Sequence, residues 1–157
     1  MSSMINFRDR PYIRPSVKNE AIAATDWFLR KYIEPELKDE EPTFIDISFN
    51  KRLDTMGLCT DEEDNEFLVE INPVGQDKND MIRTLIHELI HVRQYRTGQM
   101  QPVTGGTKFK GKRYDLDSEY FDTPWEKEAY KLEGKISGIW KRTIEGRKFN
   151  GPVAQLD

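Results

Sequence analysis

The segment from Asn79 to Thr97 is the part of this chain that most constrains its fold. Its apolar side chains recur with the period of a helix, and at about 100° per residue they cover about half of the circumference. These side chains are Met81, Ile82, Leu85, Ile86, Leu89, Ile90 and Val92. A surface helix needs an apolar stripe only about 100° wide. We therefore predict a helix, capped by Asn79 or Asp80 and followed by Gly98, that other elements enclose on most sides.

Two more helices and several short strands are predicted around this helix. Residues 16–34 carry apolar side chains at helical spacing, and so does the segment that begins at Pro124. Alternation of apolar and polar residues predicts strands at 43–49, 56–60 and 67–72. An acidic turn separates the last two strands, so we expect them to form a hairpin.

Three segments show no sustained periodicity. We expect residues 1–15 to form a polar arm, residues 98–122 a long irregular connection, and residues 146–157 a loose tail. With 157 residues, of which 36% are hydrophobic, the chain is long enough to bury one substantial core. We therefore predict a single α+β domain that spans residues 1–157.

Composition excludes several classes of function. The chain has 24 basic and 28 acidic residues, and a formal charge of −4 provides no general attraction for nucleic acid. Its one cysteine, Cys59, cannot form an intrachain disulfide or a cysteine-rich zinc site. No apolar run has the length of a membrane span or of a signal-peptide core, so we expect a cytoplasmic protein without a membrane partner.

The enclosed helix carries the sequence His87-Glu88-Leu89-Ile90-His91, which has the form H-E-x-x-H. Histidines four residues apart lie one above the other on a helix, so both imidazoles can reach one zinc ion at about 2.0–2.1 Å. Glu88 follows His87 directly, so its side chain is rotated by about 100° around the helix axis. Its carboxylate can therefore approach a water molecule bound by the metal. Zinc lowers the pKa of such a water to about 7, and a neighbouring carboxylate can accept its proton. We therefore predict that His87 and His91 bind zinc and that Glu88 is catalytic.

A third protein ligand is expected because catalytic zinc ions usually have three. The chain contains only two histidines, so the third ligand should be acidic, with Cys59 less suitable. Glu126 and Glu128 both lie near the start of the last helix. Thr123 and Pro124 resemble an N-cap followed by the first helical residue, which assigns Glu126 to a capping box. Glu128 falls on the predicted buried face, where an unpaired carboxylate is costly, so we predict Glu128 as the ligand and Glu126 as the alternative.

These two motifs together resemble the gluzincin class of zinc metallopeptidases. More closely, the segment from His87 to Gln94 and the later Pro-Trp-Glu-x-Glu-Ala run are similar to small phage and bacterial zinc metallopeptidases. The resemblance covers about residues 67–132. It implies a minimal zincin-like fold, in which a small twisted sheet packs on the helix that carries H-E-x-x-H and a second helix carries a glutamate ligand. It also implies that the strand at 67–71 binds an extended peptide along its edge.

The predicted function is zinc-dependent hydrolysis, with one zinc ion per chain and a peptide or protein as the substrate. We expect a monomer. Two alternatives remain: a non-catalytic zinc-binding regulatory or interaction protein with the same fold, and an amidase that acts on a non-peptide amide.

Further polar residues are candidates for supporting roles. Tyr114, Tyr120 and Tyr130 lie near the second motif, and a phenol there could stabilise the oxyanion of a tetrahedral intermediate. Glu133 and Asp122 are candidates to accept hydrogen bonds from the histidine ring N–H groups.

Overall fold

The computed structural model describes residues 3–8, 12–115 and 123–150 of the chain. Within these residues the structure is α+β, with a four-stranded main sheet and a three-stranded second sheet. The helices are α1 (Pro15–Phe28), α2 (Lys78–Arg96) and α3 (Pro124–Asn150). The main sheet contains β1 (Met4–Phe7), β2 (Phe44–Phe49), β3 (Gly57–Asp61) and β4 (Glu66–Ile71); the second sheet contains β5 (Met100–Val103), β6 (Gly106–Phe109) and β7 (Lys112–Asp115). None of the helices in the described ranges combines the length and the apolar character that crossing a membrane requires.

Helix α2 is the element around which the others pack. It contacts α1, α3, β3, β4 and β5, and all seven apolar residues of its predicted arc are buried, which confirms the prediction of an enclosed helix. The predicted N-cap was wrong. Asp77 caps the helix by accepting a hydrogen bond from the Asp80 backbone N–H, and the Asp80 carboxylate accepts one from the Asp77 N–H. Reciprocal capping satisfies two backbone donors at the helix start that would otherwise lack partners, which favours Asp77 over a single cap at Asn79 or Asp80.

The strand predictions at 43–49, 56–60 and 67–72 are confirmed by β2, β3 and β4. The hairpin is confirmed as well, because β3 pairs antiparallel with β4, whereas β1, β2 and β4 pair in parallel. The predicted helix at 16–34 is confirmed by α1 and by a helical continuation from Leu29 to Glu36. The strand order β1-β2-β4-β3 places β4 inside the sheet, so the expectation that β4 offers a free edge was wrong; β1 and β3 are the two edge strands.

The segments expected to be irregular contain regular structure. Residues 4–7 of the polar arm form β1, whose Ile5 and Phe7 pack against the core. The connection expected at 98–122 contains β5, β6 and β7, joined by tight turns at Gly105 and at Lys110-Gly111. Strands of four residues are too short for a reliable period-two signal, and the turns lack the Asn-Gly and Asp-Gly pairs that mark hairpins most strongly. Helix α3 continues to Asn150, and residues 151–157 of the expected tail lie outside the described residues.

An ion pair joins the end of α2 to the segment before β2. The buried Arg96 guanidinium donates hydrogen bonds to both Asp39 carboxylate oxygens, at 3.0 and 2.6 Å, and further bonds to Thr43 Oγ1 and the Glu41 carbonyl oxygen. The hydrogen bond from Arg96 lowers the pKa of Asp39 to about 2. A carboxyl whose pKa is lowered by folding stabilises the native state above its unfolded pKa, and this contribution is lost as the pH falls through the folded value.

We expect Asp39→Asn to lower the melting temperature at neutral pH. The difference between the variant and the parent should shrink as the pH falls from about 4 to about 2, because Asp39 of the parent becomes protonated over that interval. Thermal unfolding followed by circular dichroism at a series of pH values measures this difference. Glu40→Gln, at an exposed neighbouring position, is the matched control. An equal loss in both variants at neutral pH would exclude a specific role for the ion pair.

Candidate metal centre

Helices α2 and α3 bring His87, His91 and Glu126 together in a buried group. Glu126 Oε1 lies 3.0 Å from His87 Nε2 and 3.1 Å from His91 Nε2. One potential ligand atom from each residue lies within 4.8 Å of the other two. The two histidines therefore share one site, as their spacing on a helix predicts.

The acidic residue of this group is Glu126, the alternative from the sequence, and not Glu128, which the sequence favoured as the ligand. Residues at steps of three or four along α3 share one face. The buried face of α3 contains Glu126, Ala129, Ile136 and Trp140. Glu128 lies on the flank of the helix, partly exposed, and contacts Gln94 and Lys110 instead of the histidines. The sequence placed Glu128 on the buried face because that face was centred on Trp125 and Leu132, which are only partly buried.

All four ring nitrogens of the two histidines face oxygen atoms. Besides the two contacts to Glu126, His87 Nδ1 lies 3.0 Å from Glu133 Oε1 and His91 Nδ1 lies 2.7 Å from Gln94 Oε1. A neutral imidazole carries only one N–H, so two neutral rings can donate hydrogen bonds in only two of these four contacts, which involve three oxygen atoms. The site therefore needs additional positive charge, supplied either by two further protons or by a cation bound between the Nε2 atoms and Glu126.

The geometry fits a metal ion. In a tetrahedral zinc site with ligand distances of about 2.0–2.1 Å, neighbouring ligand atoms lie about 3.3 Å apart. The observed distances from Glu126 Oε1 to the two Nε2 atoms are 3.0 and 3.1 Å, so only small side-chain movements would be needed. Two imidazoles and one carboxylate also match the ligand chemistry that zinc accepts, and they leave a fourth position open.

The acidic surroundings also favour protons on the histidines in the absence of metal. Burial opposes protonation of His87, but hydrogen bonds to Glu126 and Glu133 outweigh burial and raise its pKa to about 9. Burial likewise opposes protonation of His91, and its hydrogen bond to Glu126 raises the pKa above the ordinary value. Metal binding must therefore displace protons from this site at neutral pH.

Glu88 lies next to the group and against the edge strand β3. A methyl group built on Gly57 would come within 2.9 Å of Glu88 Oε2 and 2.7 Å of Thr84 Cγ2, so the absence of a side chain at Gly57 makes room for the carboxylate. Burial raises the pKa of Glu88 to about 7, and the neighbouring Glu126 and Glu133 carboxylates act in the same direction. A carboxylate with a pKa near neutrality is well suited to accept and return a proton.

A cavity of about 640 Å³ opens beside His87 and Glu88. Its lining includes Met56 and Val74, each 65% exposed, and Tyr130, which is 48% exposed. The cavity can therefore admit an apolar group next to the carboxylate and the candidate metal ligands.

The candidate supporting residues have different positions in the structure. The Tyr130 ring centroid lies 4.7 Å from that of His87, whereas Tyr114 packs against Trp125 at 5.8 Å. Glu133 contacts His87 Nδ1 as proposed from the sequence. Tyr120 and Asp122 lie outside the described residues.

Two polar contacts of the site were missed by sequence reasoning. Arg83 Nε donates a hydrogen bond of 2.9 Å to Glu133 Oε2, and Gln94 contacts His91 Nδ1. Both residues lie on the same helix as the histidines, Arg83 one turn before His87 and Gln94 one turn after His91. A buried polar residue one turn from a candidate ligand on an enclosed helix is the signal that could have indicated Gln94.

No protein-family model, curated protein or solved structure matches the chain significantly. The resemblance to zincins therefore rests on the two motifs alone.

Proposed function

We propose that this protein is a zinc-dependent hydrolase that cleaves peptide bonds, with His87, His91 and Glu126 as the zinc ligands. The observation that supports the proposal is the convergence of both Nε2 atoms on one Glu126 oxygen, beside Glu88 and an open cavity. The same ligand set binds Fe(II) in some oxygenases. The adjacent Glu88 favours hydrolysis, because its carboxylate can act as the base that accepts a proton from the attacking water.

When bound, zinc would polarise the substrate carbonyl and lower the pKa of water in the open position. Glu88 accepts a proton from the attacking water and then delivers it to the leaving amine. Tyr130 lines the cavity, and burial together with the surrounding carboxylates raises the pKa of its phenol, so the hydroxyl remains a hydrogen-bond donor at neutral pH.

The cavity supports a peptide as the substrate. Strand β3 is one of the two edge strands of the main sheet and contributes Gly57 to the cavity lining. An extended peptide can add to such an edge by pairing with its free backbone groups. The exposed side chains of Met56 and Val74 would then contact an apolar substrate side chain near the scissile bond. A non-peptide amide would use the same metal ligands and Glu88, but it would not form backbone hydrogen bonds with the edge of β3.

The purified protein is expected to bind about one zinc ion per chain and to cleave peptides in a mixed-sequence library. A strong chelator should abolish cleavage, and added zinc should restore it. Elemental analysis and mass spectrometry of the products measure both properties.

The other outcomes distinguish the alternatives. Zinc binding without cleavage of any library peptide would favour a regulatory protein, and cleavage restricted to non-peptide amides would favour an amidase. Iron bound in preference to zinc would contradict the proposed chemistry.

A further inference from the structure

Gln94 is a fully buried polar residue for which the proposed reaction has no role. It lies three residues after His91 on α2, and its side-chain amide contacts three groups. Gln94 Oε1 lies 2.7 Å from His91 Nδ1. Gln94 Nε2 donates hydrogen bonds of 3.0 Å to the Trp125 carbonyl oxygen and 3.1 Å to Glu128 Oε1. Both amide N–H groups and the amide oxygen are therefore used.

These contacts determine which way the amide faces. A backbone carbonyl oxygen and an ionised carboxylate only accept hydrogen bonds, so the NH₂ group of Gln94 must face Trp125 and Glu128. The amide oxygen is left to face His91. An amide oxygen cannot donate, so a hydrogen bond at this distance requires a proton on His91 Nδ1. A metal ion could then bind His91 only through Nε2, the atom that faces Glu126.

Glu128 is itself held from the opposite side. Lys110 Nζ donates a hydrogen bond of 2.6 Å to Glu128 Oε2, which leaves Oε1 for Gln94. Lys110 lies in the tight turn between β6 and β7, where both Lys110 and Gly111 have positive φ angles. A continuous series of contacts thus runs from the second sheet through Glu128 and Gln94 to His91.

We propose that Gln94 is a positioning residue that holds His91 in the tautomer with a proton on Nδ1 and directs Nε2 to the metal. Glu128 acts through Gln94 by fixing the direction of the amide, and it does not bind the metal itself. This inference rests on the proposed role of His91 as a zinc ligand. Hydrogen bonds that orient ligand histidines typically change metal affinity by about 10- to 100-fold when they are removed.

The first test examines the unaltered protein by NMR with ¹⁵N-labelled histidine. The chain has only two histidines, so four ring nitrogens are observed, and sequential assignment through the backbone assigns each pair of nitrogens to His87 or His91. In the zinc-loaded protein we expect His91 Nδ1 to carry a proton and Nε2 to be metal-bound. Metal-bound Nδ1 with a proton on Nε2 would overturn the inference, and this measurement does not depend on a folded Gln94 variant.

The second test compares Gln94→Met with the same substitution at Gln101, an exposed residue of β5. Methionine has a similar volume but offers no strong acceptor to His91, so Gln94→Met should weaken zinc binding by about 10- to 100-fold. Gln101→Met should bind zinc as the parent does.

A double variant tests the same contacts by rescue. Gln94→Glu restores an acceptor for His91 but places a second carboxylate beside Glu128. Combining Gln94→Glu with Glu128→Gln removes this repulsion and should recover part of the lost zinc affinity.

The outcomes separate this inference from the proposed function. If the parent protein binds no zinc, the proposed metal site fails. If the parent binds zinc, Glu126→Ala loses it and Gln94→Met retains parental affinity, then only the role of Gln94 is wrong.

Discussion

Glu126→Ala is expected to weaken zinc binding by more than about 100-fold, whereas Glu128→Ala should weaken it by less than about tenfold. Removing a direct ligand lowers the zinc affinity more than removing a residue that acts through another side chain. The second kind of loss usually lowers the affinity by no more than about 10- to 100-fold. Glu126 Oε1 lies between the two Nε2 atoms. Glu128 contacts only Gln94 and Lys110 among the interactions described for it.

Competition with a chromophoric chelator at one neutral pH measures both affinities. Each variant must also show a cooperative thermal transition, so that a lost site is not confused with a lost fold. Glu126 is buried, and its replacement by alanine leaves a small cavity beside two histidines. Glu126→Gln keeps the volume and removes the charge, and we expect it to lose most of the affinity as well. Equal zinc affinities in the Glu126 and Glu128 variants would contradict the ligand assignment.

Glu88→Gln is expected to lower kcat for peptide cleavage by about 10²- to 10⁴-fold while zinc binding is retained. Glutamine has nearly the same shape as glutamate but cannot accept a proton from water at neutral pH. The space that Gly57 leaves beside the Glu88 carboxylate can also hold the amide, so the fold should be maintained. The effect should therefore appear in kcat rather than in stability.

Steady-state kinetics on one cleaved peptide, together with zinc analysis of the same preparations, checks this expectation. Glu62→Gln, at an exposed position in the turn between β3 and β4, is the matched control and should retain parental kcat. Cleavage by Glu88→Gln at the parental rate would mean that another group accepts the proton, and the proposed mechanism would be wrong.

The elements with long periodic patterns could be predicted from the sequence. Helix α2 carries seven apolar residues on one wide arc, and β2 alternates cleanly through Ile45, Ile47 and Phe49. The pairing of His87 with His91 also followed from the sequence, because residues four apart on a helix are always neighbours. Such features depend on local geometry, and local geometry is the same wherever the helix packs.

The second sheet and β1 could not be predicted. Each of their strands has only four residues, and β1 is a strand only because it pairs in parallel with β2, which lies far away in sequence. Its pairing with Phe44 to Ile47 depends on the position of β2 in the folded chain. A short segment with a weak intrinsic preference for strand structure becomes a strand when it can pair and pack with neighbouring elements of the folded chain.

The sequence by itself determined that an enclosed helix presents two histidines and a glutamate, and it predicted that a third ligand would be acidic. Only the tertiary structure decided whether Glu126 or Glu128 lies against the two histidines. Both residues lie in the first turns of α3, and the rotation of that helix against α2 determines which carboxylate faces the histidines. This rotation follows from the burial of Ala129, Ile136 and Trp140, because the apolar face must meet the core and Glu126 shares that face. The same rotation leaves Glu128 at the side, where it orients Gln94.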